Sequence, residues 1–179
     1  MEIRRPQSED IKELHRFFRE VITDTFRKEG IEDQVNDMEE EIKTKKTNLE
    51  NDFESNGQHR FFLIAVEANK IIGTIEYGQV SKLILKCTNN TFQYLKEVGT
   101  VFVSPGYQKK GIGNLLLQEM YRTLQYIGVE EFCLDSGYRC AQAIWRGKFG
   151  EPDYVMKDYW GDGFHHMIWK LNVNNLLAD

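Results

Sequence analysis

Apolar residues Ile11, Leu14, Phe17, Phe18, Val21, Ile22 and Phe26 recur at three- and four-residue spacing, which predicts an amphipathic helix ended by Gly30. Ser8 stands ahead of it as the predicted N-cap, with Glu9 and Asp10 in the first turn, where the helix dipole favours anions. Before it, Ile3 and Arg4 predict a short strand stopped by Pro6. A second helix is predicted over roughly 33–54. Its apolar stripe is sparse (Val35, Met38, Ile42, Leu49, Phe53), so it is expected to be partly buried, mobile or laid over a groove.

The period then shortens. Phe61 to Glu67 and Ile71 to Tyr77 alternate as strands joined at Ala68-Asn69-Lys70, a predicted hairpin. Residues 81–94 give no clear element, only turn chemistry at Asn89-Asn90. Lys96 to Val103 predicts a strand closed by Ser104-Pro105-Gly106. A helix ending at Gly128 follows, with Ile112, Leu115, Leu116, Met120, Leu124 and Ile127 on its predicted core face. Beyond it come a strand over 131–135, a helix over 139–148, and a strand pair over 153–158 and 164–171 that turns through Gly161-Asp162-Gly163. No repeat or linker interrupts this order, which predicts one α/β domain over residues 1–179 around a mixed sheet.

Composition narrows the class. A chain of 179 residues with 41% hydrophobic and 28% charged residues is long enough for a real core and is not that of a disordered protein. No apolar run approaches the ~20 residues needed to span a bilayer, so no membrane association is expected. The N-terminus does not read as a signal peptide. Cys87, Cys133 and Cys140 form no CxxC pair, which argues against a disulfide framework or zinc ribbon and suits a reducing cytoplasm. The net charge of −5 lies wholly in residues 1–60, with 16 acidic and 11 basic side chains; the remainder balances. There is no basic footprint for a nucleic acid. The acidic segment is either a solvated helix face or a field that draws in a cationic ligand.

The chemistry concentrates in Val101-Phe102-Val103-Ser-Pro-Gly-Tyr-Gln108-Lys109-Lys110-Gly111-Ile112-Gly113-Asn114. This segment leaves a strand, turns and opens a helix. A helix start offers unpaired backbone N–H groups and the positive end of a dipole, which together suit a phosphate. Gly111 and Gly113 allow close backbone approach, and Lys109 and Lys110 add positive charge. Neither glycine is followed by Lys, so this is no P-loop. The third glycine of a dinucleotide fingerprint is replaced by Leu116.

The Gln-x-x-Gly-x-Gly pattern after a strand ending Val-x-Pro, together with the whole element order, resembles the GNAT superfamily of acyl-CoA-dependent N-acyltransferases. The resemblance implies a single GNAT-like α/β domain whose mixed sheet is mostly antiparallel and flanked by helices. It implies that the backbone from Gln108 through Lys109, Lys110, Gly111 and Ile112 to Gly113, with Asn114 just inside the helix, holds the pyrophosphate of acetyl-CoA. It further implies that Val101, Phe102 and Val103 line the pantetheine arm, and that the strand over 132–135 splays away to leave the acyl slot. It implies acetyl-CoA as co-substrate, a small-molecule amine as acceptor, and no required metal. The protein would act as a monomer or homodimer.

Downstream, Ala141 and Ile144 fit the family pattern Asn-x-x-Ala-x-x-Phe/Leu-Tyr, but Tyr138 stands at the Asn position and Trp145 at the Tyr position. The family's Tyr protonates the leaving thiolate, and an indole N–H is no useful acid. Tyr138, two helical turns before Trp145, is the candidate replacement; a Tyr hydrogen-bonded to a neighbouring carbonyl is the other reading. Glu97, on the strand leading into the motif, resembles the catalytic Glu of the histone-acetylating branch and is the candidate base that deprotonates the amine. Alternation places it with Gly99, Val101 and Val103, an order that a bulge would reverse. Asp135 is a second choice of base, and ordered water a third. Cys140 lacks a His partner for covalent catalysis. His165 and His166, adjacent on a strand, point to opposite faces and do not easily share a metal ion. Tyr159, Trp160 and Phe164 are either hairpin packing or a cage for a cationic amine. The replacement of Tyr by Trp145 keeps open a rival function, a non-catalytic acyl-CoA-binding or regulatory module with the same fold.

Overall fold

The computed structural model of the chain describes residues 1–178. Its element order is β1 (Glu2–Arg4), α1 (Ile11–Glu29), α2 (Val35–Glu54), β2 (Arg60–Glu67), β3 (Lys70–Gln79), α3 (Lys82–Cys87), β4 (Lys96–Val103), α4 (Ile112–Tyr126), β5 (Glu131–Ser136), α5 (Arg139–Phe149), β6 (Tyr154–Met156), β7 (His166–Asn172) and α6 (Val173–Ala178). Seven strands form one sheet in the order β1-β2-β3-β4-β5-β7-β6. The β1–β2, β5–β7 and β6–β7 pairs are antiparallel, and β4–β5 is parallel. The fold class is the one expected, an α/β fold with a mostly antiparallel mixed sheet flanked by helices. No helix among the described residues is long and apolar enough to cross a membrane.

Two compact units emerge along the chain. The first comprises Met1–Tyr77 and Thr100–Thr123. Its core is built from the predicted faces of α1 and the β2–β3 hairpin. Phe18 is fully buried, with its ring 6.3 Å from Phe62 and 6.5 Å from Phe102. The hairpin turns through Ala68 and Asn69, both at positive φ, as a two-residue turn requires. Helix α1 starts differently from expectation. A single 3₁₀ turn over Ser8–Asp10 leads into it, and Gln7 and Asp10 cap that turn, with the Gln7 N–H donating to the Asp10 carboxylate at 2.7 Å, while the Ser8 hydroxyl turns to Glu9. Arg4 also donates to Asp10, so the Asp10 carboxyl lies below the usual carboxylate range. Gly30 ends the helix in the left-handed conformation, as predicted.

Helix α2 buries Met38, Ile42 and Leu49, but Val35 stays 57% exposed. Its C-terminal end is pinned by the fully buried Asp52, which accepts from Arg5 at 2.6 Å, and the Arg5 guanidinium lies over the Phe61 ring at 4.3 Å. Helix α4 buries Ile112, Leu116, Leu117, Met120, Tyr121 and Leu124, whereas Leu115 and Ile127 of the expected face are exposed. The shift follows from Gly73. A Cβ there would lie 2.8 Å from Leu116 Cδ1 and 3.1 Å from the Phe102 carbonyl, so α4 sits flush on the β3 backbone with Leu116 inward. Gly73→Ala should therefore cost roughly 1–3 kcal/mol through overpacking. Urea denaturation will read this as a lower midpoint at unchanged slope; a wild-type midpoint would contradict the close approach.

The second unit comprises Gly78–Gly99 and the chain from Leu124 onward. Ile84, Cys87, Phe92, Cys133 and Ile168 form a buried cluster in it. The segment without a predicted element contains α3, which Ser81 caps through its side chain. Asn89 and Asn90 supply the left-handed turn after it. The last strand pair is shorter than expected, with 157–165 forming the connection, and α6 was not foreseen at all.

Candidate active site

In the first unit, β4 runs out at Val103 and the chain turns. The Ser104 N–H donates to the Ile72 carbonyl at 2.9 Å, and Pro105–Tyr107 makes a single tight turn. Gln108 is extended, Lys109 has φ +61°, and Gly111 has φ +84°. The first main-chain bond of α4 runs from Leu115 N–H to the Gly111 carbonyl at 3.1 Å. The N–H groups of Ile112, Gly113 and Asn114 therefore sit in the first turn with no acceptor inside the helix. This is the helix start at which an anion site is expected, and two glycines shape it for different reasons. Gly111 is dictated by backbone conformation, since φ +84° disfavours any side chain. Gly113 is dictated by neither conformation nor packing: a Cβ there would meet only Val103 Cγ2, at 3.8 Å. A Cβ on either glycine would meet no backbone within 4 Å, and the unpaired N–H groups of the first turn fit a bound phosphate group.

Charge around the turn is positive. Lys109 and Lys110 are exposed, and the Lys110 ammonium stands 4.9 Å from the Tyr107 ring centroid. Gln108 does more than its motif position foretold. Its side chain donates to the Val103 carbonyl at 3.1 Å and accepts from Lys28 Nζ at 2.8 Å. Lys28, on α1, is a functional candidate that sequence reading missed, because no local pattern links it to a motif eighty residues away. Lys28 also donates to Asp24 at 2.6 Å. Burial opposes the Asp24 charge, but the hydrogen bonds from Lys28 and Arg27 outweigh it and hold the carboxyl below the usual range.

In the second unit, Glu97 pairs with Cys133 across the parallel β4–β5 ladder. Its carboxylate accepts the Ser81 N–H at 2.6 Å, so it is fixed in place at the start of α3. Burial above all, reinforced by the Glu97 and Asp135 carboxylates, pushes the Cys133 thiol far up, which leaves it inert. The alternation expected along β4 breaks at Thr100, where φ is +50°; Val101, Phe102 and Val103 are all half-buried beyond it.

Tyr138 is the N-cap of α5 in an extended conformation, not a helical residue. Tyr138 therefore stands outside the helix that carries Trp145. Its N–H donates to Ser136 Oγ at 3.0 Å, and its carbonyl accepts from Gln142. Trp145 is buried and stacks on Phe149, with centroids 5.6 Å apart. The two adjacent histidines have separate partners. His165 Nδ1 accepts from the Asp158 N–H. His166 Nδ1 accepts from Trp160 Nε1 at 3.2 Å, which places the proton on Nε2, 2.9 Å from Asp135. Asp135, the second-choice base, is thus tied to a buried histidine. The Arg139 guanidinium lies over Phe164 at 4.6 Å, so that ring already holds a cation of its own chain.

The acetyltransferase (GNAT) family model matches residues 18–137, more than half of the chain and all of the helix-start motif. The chain belongs to the GNAT acetyltransferase family. Solved GNAT-family structures share its fold over nearly their whole length. A GNAT-family protein from Desulfovibrio desulfuricans is 16% identical at a TM-score of 0.72, covering 96% of this chain and 98% of that one. The PaiA N-acetyltransferase of Thermoplasma acidophilum, solved in complex with coenzyme A, is 22% identical at 0.68, with the same coverage. The yncA protein of Salmonella typhimurium, solved with acetyl-CoA, is 15% identical at 0.67, covering 97% and 94%. A search of curated protein sequences gave no match.

Proposed function

We propose that this GNAT protein is an N-acetyltransferase that moves an acetyl group from acetyl-CoA directly to the primary amine of a small cationic acceptor. The observation that carries this reading is Gly113. It is a glycine that the fold does not require, in the first turn of a helix whose leading N–H groups have no acceptor within the helix. Solved relatives of the same fold hold coenzyme A and acetyl-CoA, which supports that choice of ligand. Acetyl-CoA supplies the activated thioester; the amine nitrogen forms the new C–N bond as the C–S bond breaks.

The chain's own residues do the rest. The N–H groups of Ile112, Gly113 and Asn114 and the cations of Lys109 and Lys110 hold the pyrophosphate. The backbone of Val101 to Val103 orients the pantetheine arm, and an N–H near Val103 polarises the thioester carbonyl. Glu97 takes the amine proton, directly or through water. The Tyr138 hydroxyl is kept as the candidate acid for the departing thiolate on the family resemblance alone, since its place outside α5 removes the helical-face argument.

The cationic character of the acceptor rests on the charge of the first sixty residues. Glu39 contributes little of that field, because Arg19 binds it bidentately at 2.6 and 2.8 Å. Asp33, Asp37 and Glu40 are exposed and carry it instead. Mass spectrometry of a panel of amines incubated with acetyl-CoA should show one acetyl added to a polyamine, aminoglycoside or similar cation. For that amine kcat/KM should fall with salt while kcat stays level, because the Debye length shrinks from about 10 Å at 0.1 M to about 3 Å at 1 M. A neutral or anionic best acceptor with salt-independent kcat/KM would overturn this part of the reading.

A further inference from the structure

Thr100 is a β-branched residue at φ +50°, a conformation such residues rarely adopt. Its surroundings hold it there from both ends. The Thr74 hydroxyl donates to the Thr100 carbonyl at 2.9 Å, and the Thr100 hydroxyl donates to the Glu76 carboxylate. Glu76 is 1% exposed, and two further donors fix it: Asn48 of α2 at 3.0 Å and Arg60 of β2 at 2.8 Å. One buried carboxylate on β3 therefore gathers hydrogen bonds from α2, β2 and β4. Glycine would take this φ without strain. A threonine makes sense at this point only where its hydroxyl is used. Lys45, one helical turn before Asn48, places its ammonium 5.7 Å from the Phe102 ring, so the same turn of α2 reaches Phe102 directly and Thr100 through Glu76.

We infer that Glu76 is a positioning residue: by holding the Thr100 hydroxyl it sets the left-handed break in β4 and hence the orientation of Val101, Phe102 and Val103. The inference rests on the proposed function in one respect, that this strand orients acetyl-CoA. The placement itself does not depend on it. A carboxylate serving only as a buried partner for Arg60 would have no need of the strained hydroxyl.

Three variants test it: Thr100→Val, which removes one hydroxyl and keeps the shape; Thr100→Ser, which keeps the hydroxyl; and Glu76→Gln. Amide hydrogen exchange at Val101 to Val103 is measured first, without ligand. Thr100→Val and Glu76→Gln should exchange faster there, with the β2 amides unchanged, and Thr100→Ser should match the wild type. Turnover with the best amine of the panel is measured next. In Thr100→Val kcat should fall by about tenfold or more, while the Kd for CoA, set at the helix start, stays within about twofold; Thr100→Ser should restore kcat. Wild-type exchange in a folded Thr100→Val protein overturns the inference. So does a kcat loss that serine does not restore. Should Glu76→Gln not fold, Thr100→Val still decides. A wild type that transfers no acetyl group refutes the functional reading, and the exchange data then settle the positioning role alone.

Discussion

Gly113→Val is expected to abolish acetyl-CoA binding and leave the protein folded. The backbone there is helical, and a Cβ meets only the Val103 methyl at 3.8 Å, so the fold itself has room for a Cβ and the one neighbour is a side-chain methyl. Valine is also a somewhat better helix residue than glycine. The new methyls stand in front of the N–H groups that are to hold the pyrophosphate. The wild type with acetyl-CoA at 100 times Kd should gain about 2.7 kcal/mol of stability. For a chain of this length that is a melting shift of roughly 5–11 °C. The variant should melt near the ligand-free wild type and show no shift. Gly111→Val makes an instructive contrast: at φ +84° it strains the backbone, so it should lower stability even without ligand. A Gly113→Val protein with wild-type affinity would place the binding site elsewhere.

Glu97→Gln is expected to lower kcat by roughly 10²–10⁴ while acetyl-CoA affinity hardly changes. Glutamine keeps an oxygen to accept the Ser81 N–H, so the start of α3 is preserved and only the charge is lost. The acidic limb of the pH–rate profile, which reports the base, should vanish with it. An unchanged kcat and profile would assign proton removal to water.

The sequence made the site's skeleton legible where chemistry and chain run together. The turn from β4 into α4 lies within a dozen residues, and its glycines, its one proline and its apolar period each act locally, so the strand, the turn and the start of the helix were read correctly. What escaped notice depends on distant partners. Lys28 meets Gln108 across eighty positions, and Glu76 meets Asn48, Arg60 and Thr100 from three other elements. A buried carboxylate inside an apolar strand, Ile-Glu-Tyr, was the available signal for the second network. Two positions expected on the α4 core face, Leu115 and Ile127, were misassigned for a related reason. Helical period fixes a stripe only to within one residue, and it is Gly73, on another element, that selects Leu116 and turns Leu115 outward. Tyr138 illustrates a boundary effect: a residue one position outside a helix shares no face with it, whatever its spacing.

The most direct measurement of the account is CoA-thiol release from acetyl-CoA by the wild-type protein, followed with and without the amine panel. Direct transfer by an N-acetyltransferase predicts release that depends on a cationic amine, saturates with it, and yields one free thiol per acetylated amine. Tight acetyl-CoA binding with no amine-dependent release would contradict it and make the protein an acyl-CoA-binding module built on the same fold.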